Sequence, residues 1–567
     1  MRRRLRQGFG LLCLTTVFAS PVRAQIAPPP SEPEPAGSAR VTGRVLASDN
    51  RAPVRRALVR LAGLPDASRS PGSNHRQLQR DVETDDHGAF EFVELPGGSY
   101  FLTVPRTNGF VGLERARRAA VTEGGVVDVT IRLERTGAIA GRLVDRNGDG
   151  VLGVEVQALR KNDFRGYITH VPEYGARVST NDLGQFRLFN LSPGEYVVVA
   201  TEVHPDRAVR TTRRSGFLTT YYPGARALGD ARDVVVRAGK DSTNVNFALT
   251  SGPLARVAID AVDSSGRPLG REASATLNSL GDAYLSSSSR QAHRDEDGRF
   301  LFAEIPPGPY YLIVSTSYRR EEAAYVDITV DADVTLKVQT NAGARISGRI
   351  VLQGPPRNPA SGALGKVAVT ASRPLGKNGP SYTKEPLPRQ DATDTFELTG
   401  LRGPMVLHAE MPGASLVSIR RAGGEDLAGR PVVFTGTETL DDLLVVFTTE
   451  RAEVEVTLTG LREPEDPESV LVMLFAEDPA RWHAGSLHYT SIEASAEMPL
   501  QRGGRTFSFR LGPVVPGRYL VAAVPSPGVM FPTEPAILER LRPIAVPVTV
   551  VAGATAKADV RVSRTGK

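Results

Sequence analysis

The stretch Thr84-Asp-Asp-His-Gly-Ala-Phe-Glu-Phe-Val-Glu-Leu-Pro-Gly-Gly-Ser-Tyr-Phe-Leu-Thr-Val104 decides the fold. Gly88 can take the positive φ of a tight turn, and the Asp before it can hydrogen-bond its own backbone. Phe90 and Phe92 stand two residues apart, so in a strand both point to one face and enter a core. Pro96-Gly97 turns the chain, and Tyr100 opens a returning strand. The whole reads as an antiparallel hairpin with one buried face.

The stretch recurs. Thr180-Asn-Asp-Leu-Gly-Gln-Phe-Arg-Leu188 leads through Pro193-Gly194 to Tyr196, and Asp295-Glu-Asp-Gly-Arg-Phe-Leu-Phe302 leads through Pro307-Gly308 to Tyr310. Weaker copies are Thr395-Phe-Glu-Leu-Thr-Gly-Leu-Arg-Gly-Pro404 and Arg505-Thr-Phe-Ser-Phe-Arg-Leu511, the latter followed by Val515-Pro-Gly-Arg-Tyr-Leu-Val521. Upstream of each copy lies an alternating strand centred on Val41, Ile139, Val257, Ile346 or Val454. These positions fall roughly 90 to 120 residues apart, the size of one small sandwich domain. Each copy ends in another apolar strand, such as Val126 to Leu133, and no long stretch keeps a helical period.

The expected fold class is therefore all-β: about five tandem antiparallel β-sandwiches of Ig-like type. Residues 39–134, 135–250 and 251–339 form the first three, with divergent copies over 340–448 and 449–567. Ahead of them, residues 1–24 carry arginines, an apolar run from Phe9 to Ala19, and Val22-Arg23-Ala24, the order of a secretory signal peptide. Residues 25–38 are a Pro-rich spacer with little to bury. The apolar run is shorter than the ~20 residues that cross a bilayer, so no transmembrane segment is expected once the leader is cut.

The 567 residues hold 69 Lys and Arg against 63 Asp and Glu. Losing Arg2, Arg3, Arg4, Arg6 and Arg23 with the leader takes the 69 to 64 against 63, so nucleic acid is not an expected partner. Clusters such as Arg115–Arg118 and Arg207–Arg214 read as solvated loop faces. The single cysteine, Cys13, lies in the leader, leaving no disulfide and no thiolate chemistry.

The strand-Gly-x-Val, Asp-x-x-Gly-x-Phe and Leu-x-Pro-Gly-x-Tyr residues resemble the carboxypeptidase regulatory-like domain, strongly in the first three units and weakly in the last two. The resemblance implies a seven-stranded transthyretin-like sandwich in an exported setting. It does not imply peptidase activity, because that domain is an accessory to a separate catalytic part. Some adhesins of related shape cross-link a first-strand lysine to an asparagine. Here Arg44, Arg142 and Arg349 hold the comparable places, so no such bond is expected.

Asp145, Asn147 and Asp149 supply oxygens at alternate positions before Gly150 and resemble the start of a calcium loop, although the twelfth position is Val156 rather than Glu. The alternative is an ordinary Asx turn. His293-x-x-Glu296 has the spacing of a zinc pair but falls in the turn slot of the repeat, and Ser381-Tyr-Thr-Lys384 matches an acyl-enzyme motif by string alone. Tyr221 and Tyr222 are candidates to present aromatic faces to a sugar or peptide. Trp482 and His483 are a second, equally open pair. No catalytic residues and no cofactor other than calcium are expected.

These readings point to a non-enzymatic exported protein of the periplasm, cell surface or extracellular space, with a structural, adhesive or scaffold role. Its expected partner is a cell-surface protein or glycan. A carbohydrate- or peptide-binding accessory and a cryptic hydrolase are the alternatives.

Overall fold

The structure is a computed structural model that describes residues 37–65, 78–107, 109–113, 116–164, 167–202, 213–280, 289–317, 322–354, 367–372, 395–411, 414–421, 424–450, 452–460, 470–483, 486–494, 501–503, 506–526 and 535–563. The leader, nearly all of the spacer, and Ser381–Lys384 lie outside the described residues.

Seven strands build the first unit: β1 (Ala39–Ala47), β2 (Leu58–Pro65), β3 (Leu78–Glu83), β4 (Ala89–Leu95), β5 (Gly98–Thr103), β6 (Arg117–Val121) and β7 (Val126–Leu133). They form two sheets, ordered β4-β1-β7 and β3-β2-β5-β6. All pairings are antiparallel except that of β1 with β7. Along β1 every second residue is buried, which places Val41, Gly43 and Val45 against the facing sheet. Leu61, Phe92, Tyr100 and Ile131 join them in one cluster. Each large apolar side chain so enclosed contributes roughly 1.5–3 kcal/mol.

The same register runs through the chain. Val41 lies opposite Phe92, Ile139 opposite Leu188, Val257 opposite Phe302, Ile346 opposite Leu398, and Val454 opposite Leu511. In each unit the first strand also pairs in parallel with the closing segment. The two copies that are weak in sequence thus keep the pairing of the strong ones. The main clusters draw their buried residues from 39–133, 139–249, 255–338, 344–447 and 452–562, one range per sandwich.

Two local devices recur. Tyr100, Tyr196, Tyr310 and Tyr519 each donate their hydroxyl to the carbonyl four residues back, at 2.7, 2.7, 2.8 and 2.6 Å. This is a tyrosine-corner arrangement that fixes the turn leading into the returning strand. The fourth unit has Met405 at that place. The second device is a bulge, where the pairing of the first strand shifts register. Glu94, Asn190 and Glu304 take it up at φ of 55°, 61° and 56°, and Gly400 does so at 83°. The extra residue bends the strand end and turns its carbonyl and side chain outward.

The fifth unit departs from the plan. Its strand Val470–Ala476 is buried at every position. A seven-residue helix, α1 (Pro535–Leu541), lays Ile537, Leu538 and Leu541 over the outer sheet face, against Met473, Phe475 and Trp482. Trp482, expected as a loop residue open to ligand, is instead a core residue. Its indole Nε1 donates to the Ala476 carbonyl at 2.7 Å, and its ring stands edge-on to Phe475.

Candidate functional site

The expected calcium loop is a closed Asx turn. The Asp145 carboxylate accepts from the backbone N–H of Asn147 and Asp149 at 2.8 and 3.0 Å, and from the Asn147 side-chain amide at 3.1 Å. Asp263 makes the same turn in the third unit with Ser265 and Arg267, a place with no calcium pattern in its sequence. Among the described residues no three His, Cys, Asp or Glu side chains converge. The Asn147 amide nitrogen faces Asp145 as a donor.

Tyr221 and Tyr222 turn inward. Tyr221 is 7% exposed and packs over the outer sheet face on Leu159, Val197 and Val199. Tyr222 packs on the inner core, edge-on to Phe247 at 5.7 Å. The expectation that the pair presents aromatic faces is therefore corrected. The segment 217–231 is a cover for an apolar sheet face, and burying Tyr221 is how it covers. His293 pairs with Leu301 in a short strand, while Glu296 sits in the following turn, so the two do not act as a ligand pair.

What the structure does assemble lies at the junctions between sandwiches. Arg106, in the connection after β5, reaches into the second unit. It donates to the Asn190 carbonyl, to Glu173 at 2.7 Å and to Ser192 at 2.8 Å. From the matching connection of the second unit, Arg213 reaches the third. It meets both oxygens of Glu304 at 3.1 and 2.7 Å and holds Glu202 of its own unit at 2.9 Å. In both cases the arginine lands on the bulge residue of the next sandwich. Two acids on one guanidinium keep Arg213 charged well above the ordinary arginine range.

Arg214 adds an ion pair to Asp333, whose other oxygen accepts from the Arg256 backbone at 2.8 Å. Ser215–Phe217 then forms a two-stranded ribbon with Ser251–Pro253, the segment entering the third unit. The arginines at 213 and 214, expected on a solvated loop face, stay largely in water at 45% and 71% exposure and also make junction contacts.

At the third junction Asn341 exchanges two backbone hydrogen bonds with Ala323, and its own carbonyl and side chain receive Arg402 of the fourth unit. At the fourth junction the contact is apolar: Leu487 of the fifth unit packs against the core of the fourth. The side-chain contacts that cross from one unit to the next do not show in a local motif, because Arg106–Glu173, Arg213–Glu304 and Arg214–Asp333 pair across 67, 91 and 119 positions of chain. The available signal is the recurrence itself, a Glu or Asn directly before the apolar residue that ends the fourth strand.

No known protein family matches the chain, and no curated protein does either. Solved structures share partial likeness. The TIE protein of Bacillus anthracis is 15% identical over 54% of this chain, with a TM-score of 0.17. That match spans 51% of the TIE chain. The minor pilin GBS52 of Streptococcus agalactiae is 16% identical over 38% of this chain and 97% of its own, with a TM-score of 0.23. BcpA, the major pilin subunit of Bacillus cereus, is 11% identical over 54% and 99%, with a TM-score of 0.16. Likenesses this slight carry no argument about role, and the all-β tandem fold stands on its own sheets. Among the described residues no helix is long and apolar enough to cross a membrane.

Proposed function

We propose that this chain is a non-enzymatic exported spacer of the cell envelope: a semi-rigid array of sandwiches that holds its units at set positions for a structural or adhesive purpose. The observation that carries the reading is the Arg213–Glu304 contact. A flexible string needs only linkers, whereas here a Glu side chain 4% exposed in one unit takes its counter-ion from the preceding one. Burying that carboxylate is unfavourable unless the two units hold one relative placement. The first three junctions are polar and the fourth is apolar, each made by specific residues of units with self-contained cores. The carboxypeptidase regulatory-like resemblance remains the family proposal, supported by the glycine turn, the phenylalanine after it and the tyrosine corner of the first three units. Export rests on the leader-like order of residues 1–24.

Small-angle scattering on the secreted full chain tests the reading. A semi-rigid array gives a scattering profile with a defined maximum dimension that broadens in the double variant Arg106→Ala, Arg213→Ala. A wild-type profile already fitted by freely jointed sandwiches, and unchanged in that variant, would overturn it.

A further inference from the structure

An open cleft of about 780 Å³ lies where the first two sandwiches meet, and its lining is chemically specific. Phe189 stands in it 54% exposed, although it is a large aromatic one residue from the buried junction. Asn190, beside it, has its backbone carbonyl taken by Arg106, while its side-chain Oδ1 is buried with no hydrogen-bond partner. That oxygen is enclosed by the fold, so recognition in the cleft falls to Phe189 and the charged groups. Lys240 lines the same cleft, and among the described residues its ammonium has neither a hydrogen-bond nor an ion-pair partner.

The other charges in the cleft are neutralised in pairs. Arg187 holds Asp241 through Nε and Nη2 at 3.1 and 2.9 Å. Arg135 holds Asp49 at 3.0 Å and lies over the Phe110 ring at 4.9 Å. Each pair still offers N–H donors beside carboxylate acceptors, the alternation that hydroxyl groups satisfy because they both donate and accept. With Asp49 and Asp241 neutralised by their arginines, Lys240 is the charge left to meet a carboxylate.

We propose that this cleft binds an acidic saccharide. A pyranose face rests on Phe189, its hydroxyls meet the N–H donors and carboxylate acceptors of the Arg187–Asp241 and Arg135–Asp49 pairs, and a uronate carboxylate meets Lys240. The proposal goes beyond the spacer reading and does not rest on it: it needs the first junction only, and it would give the array a ligand.

The test is calorimetric titration of the full chain with tetragalacturonate, neutral maltotetraose and tetra-aspartate. Tetragalacturonate binds the wild type. Phe189→Ala weakens it by about tenfold or more, the scale of one lost aromatic anchor. Lys240→Met removes the preference for the charged sugar over the neutral one, and Ala238→Trp, which fills the cleft, abolishes binding. Scattering profiles of the three variants match the wild type, so the spacer reading is judged separately. No binding of tetragalacturonate at millimolar concentration, equal binding by the Phe189 variant, or binding of tetra-aspartate in its place would each overturn the proposal.

Discussion

Arg213 and Glu304 belong to different sandwiches, yet the guanidinium of one meets both carboxylate oxygens of the other, Nε at 3.1 Å and Nη2 at 2.7 Å. The asymmetry of the pair sets the prediction: the arginine side chain is 45% exposed and the glutamate 4%. Removing the arginine takes a two-pronged counter-ion from a buried carboxylate, whereas removing both leaves only lost packing. Arg213→Ala should destabilise the third unit by about 2–3 kcal/mol, below the full range for breaking a buried pair because the guanidinium is half in water. The double variant Arg213→Met, Glu304→Met should recover most of that. Hydrogen exchange on the full chain checks both, read at residues 300–305 and 215–217, since a multidomain melt gives no single stability. Equal protection in the wild type and Arg213→Ala would sink the account.

The repeat and its junctions differ in how far they can be read from the chain. Phe90 and Phe92, or Tyr196 after Pro193-Gly194, act within about ten residues of the turn they serve, so their spacing alone gives strand, face and turn. The buried face of each strand excludes a one-residue slip, and the structure supplies the remaining choice, Val41 opposite Phe92. The covers did not follow. Tyr221 and Trp482 read as exposed aromatics because nothing local says that a loop folds back over a sheet. The fully apolar run Val470 to Ala476 was the overlooked sign, since a strand buried on both faces needs something on its outer side. Arg213 and Phe189 were out of reach for a related reason: each is defined by a neighbouring sandwich, and local pattern does not specify which loop meets which bulge.

Gly43 marks where the parallel closing strand presses closest. A Cβ there would overlap the Val129 carbonyl and stand 2.5 Å from the Phe90 ring. In the second unit a Cβ at Gly141 would overlap the Val245 carbonyl and come within 2.9 Å of Phe186. Backbone cannot rotate away as a side chain can, so Gly43→Ala or Gly141→Ala should cost about 2–3 kcal/mol, the upper part of the overpacking range. Gly270 has open space within 4 Å, and Gly270→Ala should stay within about 0.5 kcal/mol of wild type. Exchange rates in the affected unit separate these outcomes, and a neutral Gly43→Ala would contradict the close approach.

The Asp145 turn gives a prediction that sets its two readings apart. Its carboxylate is engaged by N–H groups, so added calcium at millimolar concentration should leave the melting profile of the full chain unmoved. Asp145→Ala should loosen the turn equally with and without the ion. A calcium-dependent rise in melting temperature that disappears in Asp145→Ala would instead show that the turn opens to admit a cation, with Asn147 and Asp149 as its partners.

His488 sits at the fourth junction, next to Leu487. The Tyr519 hydroxyl donates to the Val515 carbonyl, so it accepts from His488 Nδ1 at 2.8 Å, and Arg481 donates to Nε2 at 2.6 Å. That assigns a neutral ring with its proton on Nδ1, and a second proton would have to displace Arg481. Burial, with the Arg481 charge next, pushes the imidazole down to about 4, against opposing pulls from Asp426 and Asp478. Because the folded value lies below the unfolded one, the unfolded chain binds the extra proton first. Stability from this group is complete above about pH 6.5 and is lost as pH falls toward 4. With the ring half-buried, the loss should be about 1–2 kcal/mol rather than the full amount of the shift. In His488→Asn an amide N–H still reaches Tyr519 while the titrating group is gone, so the exchange protection of residues 486–494 should fall between pH 7 and pH 5 in the wild type and stay level in the variant. The same fall in both would assign the acid sensitivity to another group.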